Sequence, residues 1–258
     1  MTQGGRPAAL VTAGARRIGR AIALNLAQRG FDIAIHYNAS KQDAETLAAE
    51  IRNLGVASHT VACDFFDFKQ VELLIKQVGE VFPALSLLVN NASIFEEGSF
   101  LETEPQFYDR NFDIHLKVPF FLSRDFAKHC SAMQNRLGLQ LGGQSGSNGH
   151  IINIVDSNVV KFSTKHFAYL LSKKALLDFT KMAARELAPA VRVNAIAPGP
   201  ILPPPGHDDS YMDKSARKVL LKTKGGTQYI VQGLSFLLDN PFVTGECLFI
   251  DGGEHIDD

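Results

Sequence analysis

The sequence has no tryptophan, four methionines and three cysteines in 258 residues. Without indole rings, any aromatic face offered to a ligand must come from tyrosine, phenylalanine or histidine. Cys63, Cys130 and Cys247 are odd in number and far apart. That spacing makes neither a disulfide framework nor a metal-ligand pattern, so reduced thiols, a cytoplasmic setting and no bound metal are expected. A surplus of one charge is lacking as well: 26 lysines and arginines face 27 acids, for a net charge of -1. This balance argues against nucleic acid and against an anionic membrane as partner. No apolar run is long enough to span a bilayer, and no signal peptide is expected. What the chain does have is apolar substance, 45% hydrophobic residues. Residues 1–258 therefore suit one domain with a sizeable core.

Along the chain, short apolar runs alternate with segments of helical period. Ala8 to Thr12 is expected as a buried strand. It leads through Ala13-Gly14-Ala15-Arg16-Arg17-Ile18-Gly19 into a helix striped by Ile18, Ile22 and Leu26 and stopped at Gly30. Strand, small-residue loop and helix N-terminus together make an anion cradle, in which backbone N–H groups and the positive helix end face a phosphate. Further strands are expected at Phe31–Tyr37, ending at Ala62-Cys63-Asp64, at Leu85–Val89, His150–Asp156, Val191–Ala197 and Cys247–Ile250. Helices are expected at about 40–54, 68–82, 104–133, 166–187 and 227–238. The alternation predicts a doubly wound parallel sheet of about seven strands flanked by helices, with ligands at the carboxyl ends of the strands. Gly138 to Gly149 reads as a surface loop. Residues 201–226, rich in proline, glycine and charge, read as a mobile lid over a substrate.

Two stretches carry chemistry. At the end of the second strand, His36-Tyr37-Asn38-Ala39-Ser40-Lys41 contains no acid to hold a ribose 2′-hydroxyl. Arg16, Arg17, Ser40 and Lys41 offer a phosphate site instead, which favours NADPH over NADH; Lys41 is equally a solvated charge. Asp64 suits either the adenine amine or the cap of the next helix. In the 166–187 helix, Tyr169 stands four residues before Lys173, so both share one face. An ammonium beside a phenol lowers its pKa, making the pair a candidate proton relay.

The order Thr12 to Gly19, Asn90-Asn91-Ala92, Tyr169 with Lys173, Pro198-Gly199 and Thr244-Gly245…Asp251-Gly252-Gly253 resembles the short-chain dehydrogenase/reductase family over nearly the whole chain. The resemblance implies a single-domain α/β Rossmann fold, a nicotinamide cofactor and a homotetramer or dimer, the homotetramer being expected. It implies that Tyr169 donates the proton and that Lys173 holds the nicotinamide ribose. It implies cofactor contacts at Gly14, Arg16, Arg17 and Ile18; at His36, Tyr37, Asn38 and Ser40; and at Asp64 and Phe65. Asn91, Ala92 and Ser93, then Pro198, Gly199 and Ile201, complete the set. Lys174 is expected as a solvated neighbour.

Departures from the family pattern narrow the expectation. Ala13 and Arg17 stand at the first two glycine positions of the loop. Asp156 stands 13 residues before Tyr169, where the family has serine. His115 aligns with an asparagine of the fourth helix. Arg17, Ser93, Phe95 and Asp156 resemble pteridine reductases and the bacterial dihydromonapterin reductases, which implies that Arg17, Ser93, Phe95, Asp156 and Tyr169 meet a pterin. Asp156 is equally a turn cap, and Phe95 equally a core residue. The expected activity is NADPH-dependent reduction of a dihydropterin. A generic carbonyl reductase, such as one acting on 3-oxoacyl thioesters, and a non-catalytic NADPH-binding regulator are the alternatives. The intact Tyr–Lys pair argues against the regulator.

Overall fold

The computed structural model describes residues 5–137, 148–204 and 206–257. Seven strands, β1 (Ala8–Val11), β2 (Asp32–Tyr37), β3 (Ser58–Ala62), β4 (Leu85–Asn90), β5 (Gly149–Ile154), β6 (Val191–Pro198) and β7 (Cys247–Ile250), form one sheet. Their order is β3-β2-β1-β4-β5-β6-β7, every neighbouring pair parallel. The period of two along a strand explains why the central strands are apolar throughout. In β1, Ala8 and Leu10 enter one core while Ala9 and Val11 enter the other.

Helices cover both faces. On one side Ile22 and Leu26 of α1 (Arg17–Gln28), Leu47 and Ile51 of α2 (Lys41–Asn53) and Leu234 of α8 (Thr227–Asp239) pack against the sheet. On the other lie Val71 and Leu74 of α3 (Phe68–Val81), Leu122 and Phe126 of α5 (Val118–Leu137) and Ala183 of α6 (Phe167–Leu187). The remaining helices are α4 (Pro105–Phe112) and α7 (Asp209–Lys218). Among the described residues no helix is long and apolar enough to cross a membrane.

The chain runs outward from β1 in two directions, to β2 and β3 on one side and to β4 and beyond on the other. This reversal opens a crevice between the carboxyl ends of β1 and β4, the place where open parallel sheets bind ligands.

Four expectations change. The third strand stops at Ala62 and the fifth at Ile154, so Cys63, Asp64 and Asp156 lie on loops beyond strand ends. The long helix expected at 104–133 is broken by a π turn at Asp113–Lys117, between α4 and α5. One inserted residue alters the hydrogen-bond ladder but hardly disturbs apolar periodicity, so the sequence hides it. The 201–226 segment is not irregular throughout: it carries α7, capped by the Asp208 carboxylate accepting the Ser210 N–H at 3.0 Å. The loop expected at 138–149 lies outside the described residues except for its last two, and Gly149 opens β5.

Candidate active site

The crevice is stapled by Thr12, buried just past β1. Its hydroxyl donates to the Val89 carbonyl (3.2 Å) and accepts the N–H groups of Asn91 (2.8 Å) and Ala92 (2.9 Å). Asn91 returns the contact, its side-chain amide donating to Thr12 O at 2.9 Å. Gly19 is needed here: a Cβ on it would lie 2.4 Å from the Ala13 carbonyl oxygen and 2.7 Å from the Asn91 side chain. The N-terminus of α1 has neither a side-chain cap nor an acid in its first turn. Its uncapped N–H groups and positive dipole end suit an anion such as a dinucleotide phosphate.

Around this cradle the expected cofactor residues occupy distinct places. Gly14 is buried in the loop, Arg16 and Arg17 are exposed, and Ile18 lies in the first turn of α1. Arg16 donates through Nε to Asp43 at 2.7 Å, and Arg17 donates to the Pro203 carbonyl at 2.8 Å. Tyr37 ends β2, and Asn38 and Ser40 follow it; Ser40 precedes α2 without capping it through its side chain. His36 does not face the crevice. Only 2% exposed, it lies beneath the loop and stacks on Phe65 with centroids 4.1 Å apart. Strand alternation turns it inward, a consequence that counting residues from the strand end missed. Asp64 accepts the Phe66 N–H at 3.0 Å and lies 3.5 Å from the Asn38 amide. It does not cap α3: that role belongs to Asp67, which accepts the Lys69 N–H. Pro198 ends β6. Gly199 N–H donates to Ile250 O, and a Cβ on Gly199 would collide with Asp251 at 2.6 Å. Ile201 is buried just beyond.

The chemical centre lies where β5 and α6 meet. Tyr169 Oη donates to Asp156 Oδ2 at 2.8 Å. The other oxygen, Oδ1, accepts the Asn158 N–H (2.8 Å) and its side-chain amide (3.0 Å), starting a short 3-10 turn at Ser157–Val160. Asp156 is therefore both turn cap and partner of the tyrosine. Lys173, 2% exposed, donates to the Ile154 carbonyl at 2.8 Å. Burial pushes its pKa down from 10.5 to about 8, with Asp156 pulling the other way.

The expectation that the ammonium lowers the tyrosine pKa is corrected. Burial, and then the neighbouring Asp156 charge and hydrogen bond, hold the Tyr169 phenol well above its ordinary range. The Lys173 ammonium lies 5.9 Å from the ring centroid and bonds a carbonyl rather than the phenol oxygen. In this state Tyr169 keeps its proton. Lys174 is no mere solvated neighbour either, since its Nζ donates to Val159 O at 2.8 Å and pins the turn after Asp156.

Sequence reasoning undervalued three residues. His115 is fully buried on the π turn, and burial and then the Lys173 charge push its pKa well down, so it is neutral. Its Nδ1–H donates to Ser172 Oγ (2.9 Å), because the Ser172 hydroxyl is itself spent on the Tyr169 carbonyl (2.7 Å). Its Nε2 thus accepts the Ile94 N–H (3.2 Å) and lies 2.9 Å from Ser93 Oγ. Alignment gave the position of His115 but not these partners. His166 stacks on Phe95 at 4.3 Å and, in a left-handed conformation (φ 51°), donates Nδ1–H to Glu96 O at 3.0 Å. Phe95 is no core residue: it is 50% exposed and meets the Tyr169 ring edge-to-face at 5.0 Å. Glu254 accepts the Ser157 hydroxyl at 2.7 Å, and burial raises its pKa. That contact ties the C-terminal Asp251–Ile256 turn to the residue after Asp156, and no sequence signal marks it.

The crevice, the buried Tyr169–Lys173 pair and the parallel sheet define a nicotinamide-dependent oxidoreductase of Rossmann type. The chain belongs to the short-chain dehydrogenase/reductase family, whose model described as enoyl-(acyl carrier protein) reductase matches residues 12–255. A similar curated protein is the 3-oxoacyl-[acyl-carrier-protein] reductase FabG of Staphylococcus epidermidis, 31% identical over 253 residues, covering 96% of this chain and 98% of that protein. The dihydromonapterin reductase of Citrobacter koseri is 29% identical over 247 residues, covering 96% of both chains. Among solved structures, the FolM alternative dihydrofolate reductase 1 of Brucella canis, complexed with NADP, aligns with a TM-score of 0.87 and 35% identity, covering 97% of this chain and 94% of that one. The chain is an oxidoreductase of that family.

Proposed function

We propose that this reductase acts on a dihydropterin. The observation that carries the proposal is the hydrogen bond from Tyr169 Oη to an Asp156 carboxylate oxygen. A carbonyl reductase builds negative charge on a carbonyl oxygen and needs a neutral donor beside its tyrosine. A carboxylate at that point would repel the developing oxyanion. Protonation of a ring nitrogen tolerates it and profits from it, because positive charge gathers where the proton arrives. Phe95 supports the same conclusion: half exposed and backed by His166, it offers a flat face beside Tyr169 on which a bicyclic aromatic ring stacks. The similarity to FolM and to dihydromonapterin reductase points the same way.

NADPH, when bound, supplies the hydride. The cradle at Gly14, Arg16, Arg17 and Ile18 would hold its phosphates, and Asn38, Tyr37, Ser40 and Asp64 its adenosine end. Asn91, Ala92, Ser93, Pro198, Gly199 and Ile201 would border the nicotinamide end, and Lys173 would hold its ribose. Tyr169, protonated in the resting site, delivers its proton to the pterin nitrogen next to the carbon being reduced. Asp156 orients the phenol. Arg17 and Ser93 border the substrate, with His115 fixing the Ser93 hydroxyl.

The second reading, reduction of a 3-oxoacyl thioester, is favoured by the similarity to FabG. One assay separates the two: NADPH oxidation with a dihydropterin beside an acetoacetyl thioester, for wild type and Asp156→Ser. Pterin reduction should dominate in the wild type and drop at least ~100-fold in the variant, the lower end of general acid catalysis. Unchanged pterin turnover in Asp156→Ser, or faster wild-type reduction of the thioester than of any pterin, selects the second reading.

A further inference from the structure

The cofactor loop contains two residues that are not glycine yet adopt the left-handed conformation, Ala13 at φ 47° and Arg17 at φ 53°. Glycine adopts this conformation at no steric cost, whereas a Cβ crowds the following carbonyl. Something outside the loop must hold it in this shape. Ala13 is the tighter case, because its carbonyl also meets Gly19 and Asn91 at the floor of the cradle.

His36 supplies the hold. Its Nδ1 accepts the Ala13 N–H at 2.9 Å, and its own carbonyl accepts the next N–H, that of Gly14, at 3.0 Å. Its Nε2 lies 2.9 Å from the Cys63 carbonyl oxygen. Since Nδ1 accepts, Nε2 must carry the proton, which fixes a single neutral tautomer. Burial pushes the ring pKa down to about 4, in accord with that assignment. The Phe65 ring, stacked with only 4° between the planes, fixes the imidazole plane. One side chain of β2 thus ties together the loops after β1 and β3, two of the segments that would carry the cofactor.

We propose that His36 is the positioning residue of the cofactor site: its buried neutral imidazole holds Ala13 left-handed and so keeps the phosphate cradle in its binding shape. His36 is 2% exposed and acts from behind the loop. The proposal concerns NADPH binding and holds whichever substrate is reduced.

The test is direct NADPH affinity, by titration calorimetry on full-length protein, with circular dichroism to verify folding. His36→Phe keeps the stack on Phe65 but orphans the Ala13 N–H. It should weaken NADPH binding by up to about tenfold, the worth of one lost hydrogen bond. Ala13→Gly alone sets the reference for the double variant. Added to His36→Phe, it should restore the conformational part of the loss, because glycine needs no partner to stay left-handed although its N–H keeps no acceptor. That non-additivity separates positioning from general destabilisation. Should His36→Phe not fold, His36→Asn and His36→Gln decide the matter. The Asn amide reaches the place of Nδ1 and keeps the Ala13 contact; the Gln amide reaches the place of Nε2 and keeps the Cys63 contact. Asn should therefore bind NADPH more tightly than Gln, and Ala13→Gly should narrow the gap. Unchanged affinity in His36→Phe, no recovery with Ala13→Gly, or equal binding by the Asn and Gln variants would each overturn the proposal.

Discussion

Lys173 allows a prediction in which stability and activity move in opposite directions with pH. The side chain is 2% exposed, and its pKa falls from 10.5 to about 8 because burial penalises the ammonium. One pKa unit is worth about 1.4 kcal/mol, so holding Lys173 charged at neutral pH costs the folded state roughly 3 kcal/mol. The sign follows from proton counts. Between about 8 and 10.5 the unfolded chain still carries the lysine proton while the folded chain has released it, so stability rises with pH across that window. Between pH 7 and pH 9 the gain should be about 1 kcal/mol. The Tyr169 phenol, held above its ordinary range, adds nothing below pH 10. The perturbation is Lys173→Met, which removes the titrating group at similar volume. Urea unfolding of the ligand-free protein at pH 7, 8 and 9 measures the difference in stability between wild type and variant. Wild type should gain on the variant as pH rises. Over the same range its kcat/KM for NADPH should fall, since the ammonium that would hold the nicotinamide ribose is lost, and that ratio reports groups of the free enzyme. A stability difference that stays flat or shrinks from pH 7 to 9 would refute the buried-ammonium account.

Tyr169→Phe removes the proton donor and should lower turnover by roughly 10²–10⁴-fold while circular dichroism shows an unchanged fold; near-full activity would shift proton delivery to Asp156 or water. Replacing NADPH with NADH should lower kcat/KM by about tenfold to a thousandfold, the worth of one or two charge-assisted phosphate contacts from the Arg16, Arg17 and Ser40 region. Equal values for the two cofactors would remove that phosphate site. Phe95→Ala should raise the KM for a dihydropterin with little change in kcat, the pattern of lost uniform binding; a fall in kcat alone would place Phe95 with the proton machinery rather than with the substrate face.

The sequence by itself determined the architecture and the inventory of the site. Apolar runs of strand length alternating with helical stripes leave few alternatives to a parallel sheet with helices on both faces, and all seven strands fall at the places that pattern marks. Tyr169 and Lys173 share a helix face because four residues make one turn, a local fact that needs no tertiary contact. Asp156 and Arg17 stood out because they depart from a known family pattern, and Phe95 because it resembles one subgroup of that family. What the sequence did not contain was the partner of each group. The phenol pKa goes up rather than down because α6 packs against the end of β5, which buries Tyr169, aims its hydroxyl at Asp156 and spends the Lys173 ammonium on Ile154. His36, counted from the strand end as a rim residue, is turned inward by strand alternation to meet Ala13 across 23 positions of chain. His115, on a π turn, acquires its partners from two segments, the loop after β4 and α6. Local propensity fixes which residues are neighbours along a helix or a strand. Hydrogen-bond partners and desolvation come from segments distant in sequence, and only packing brings them together.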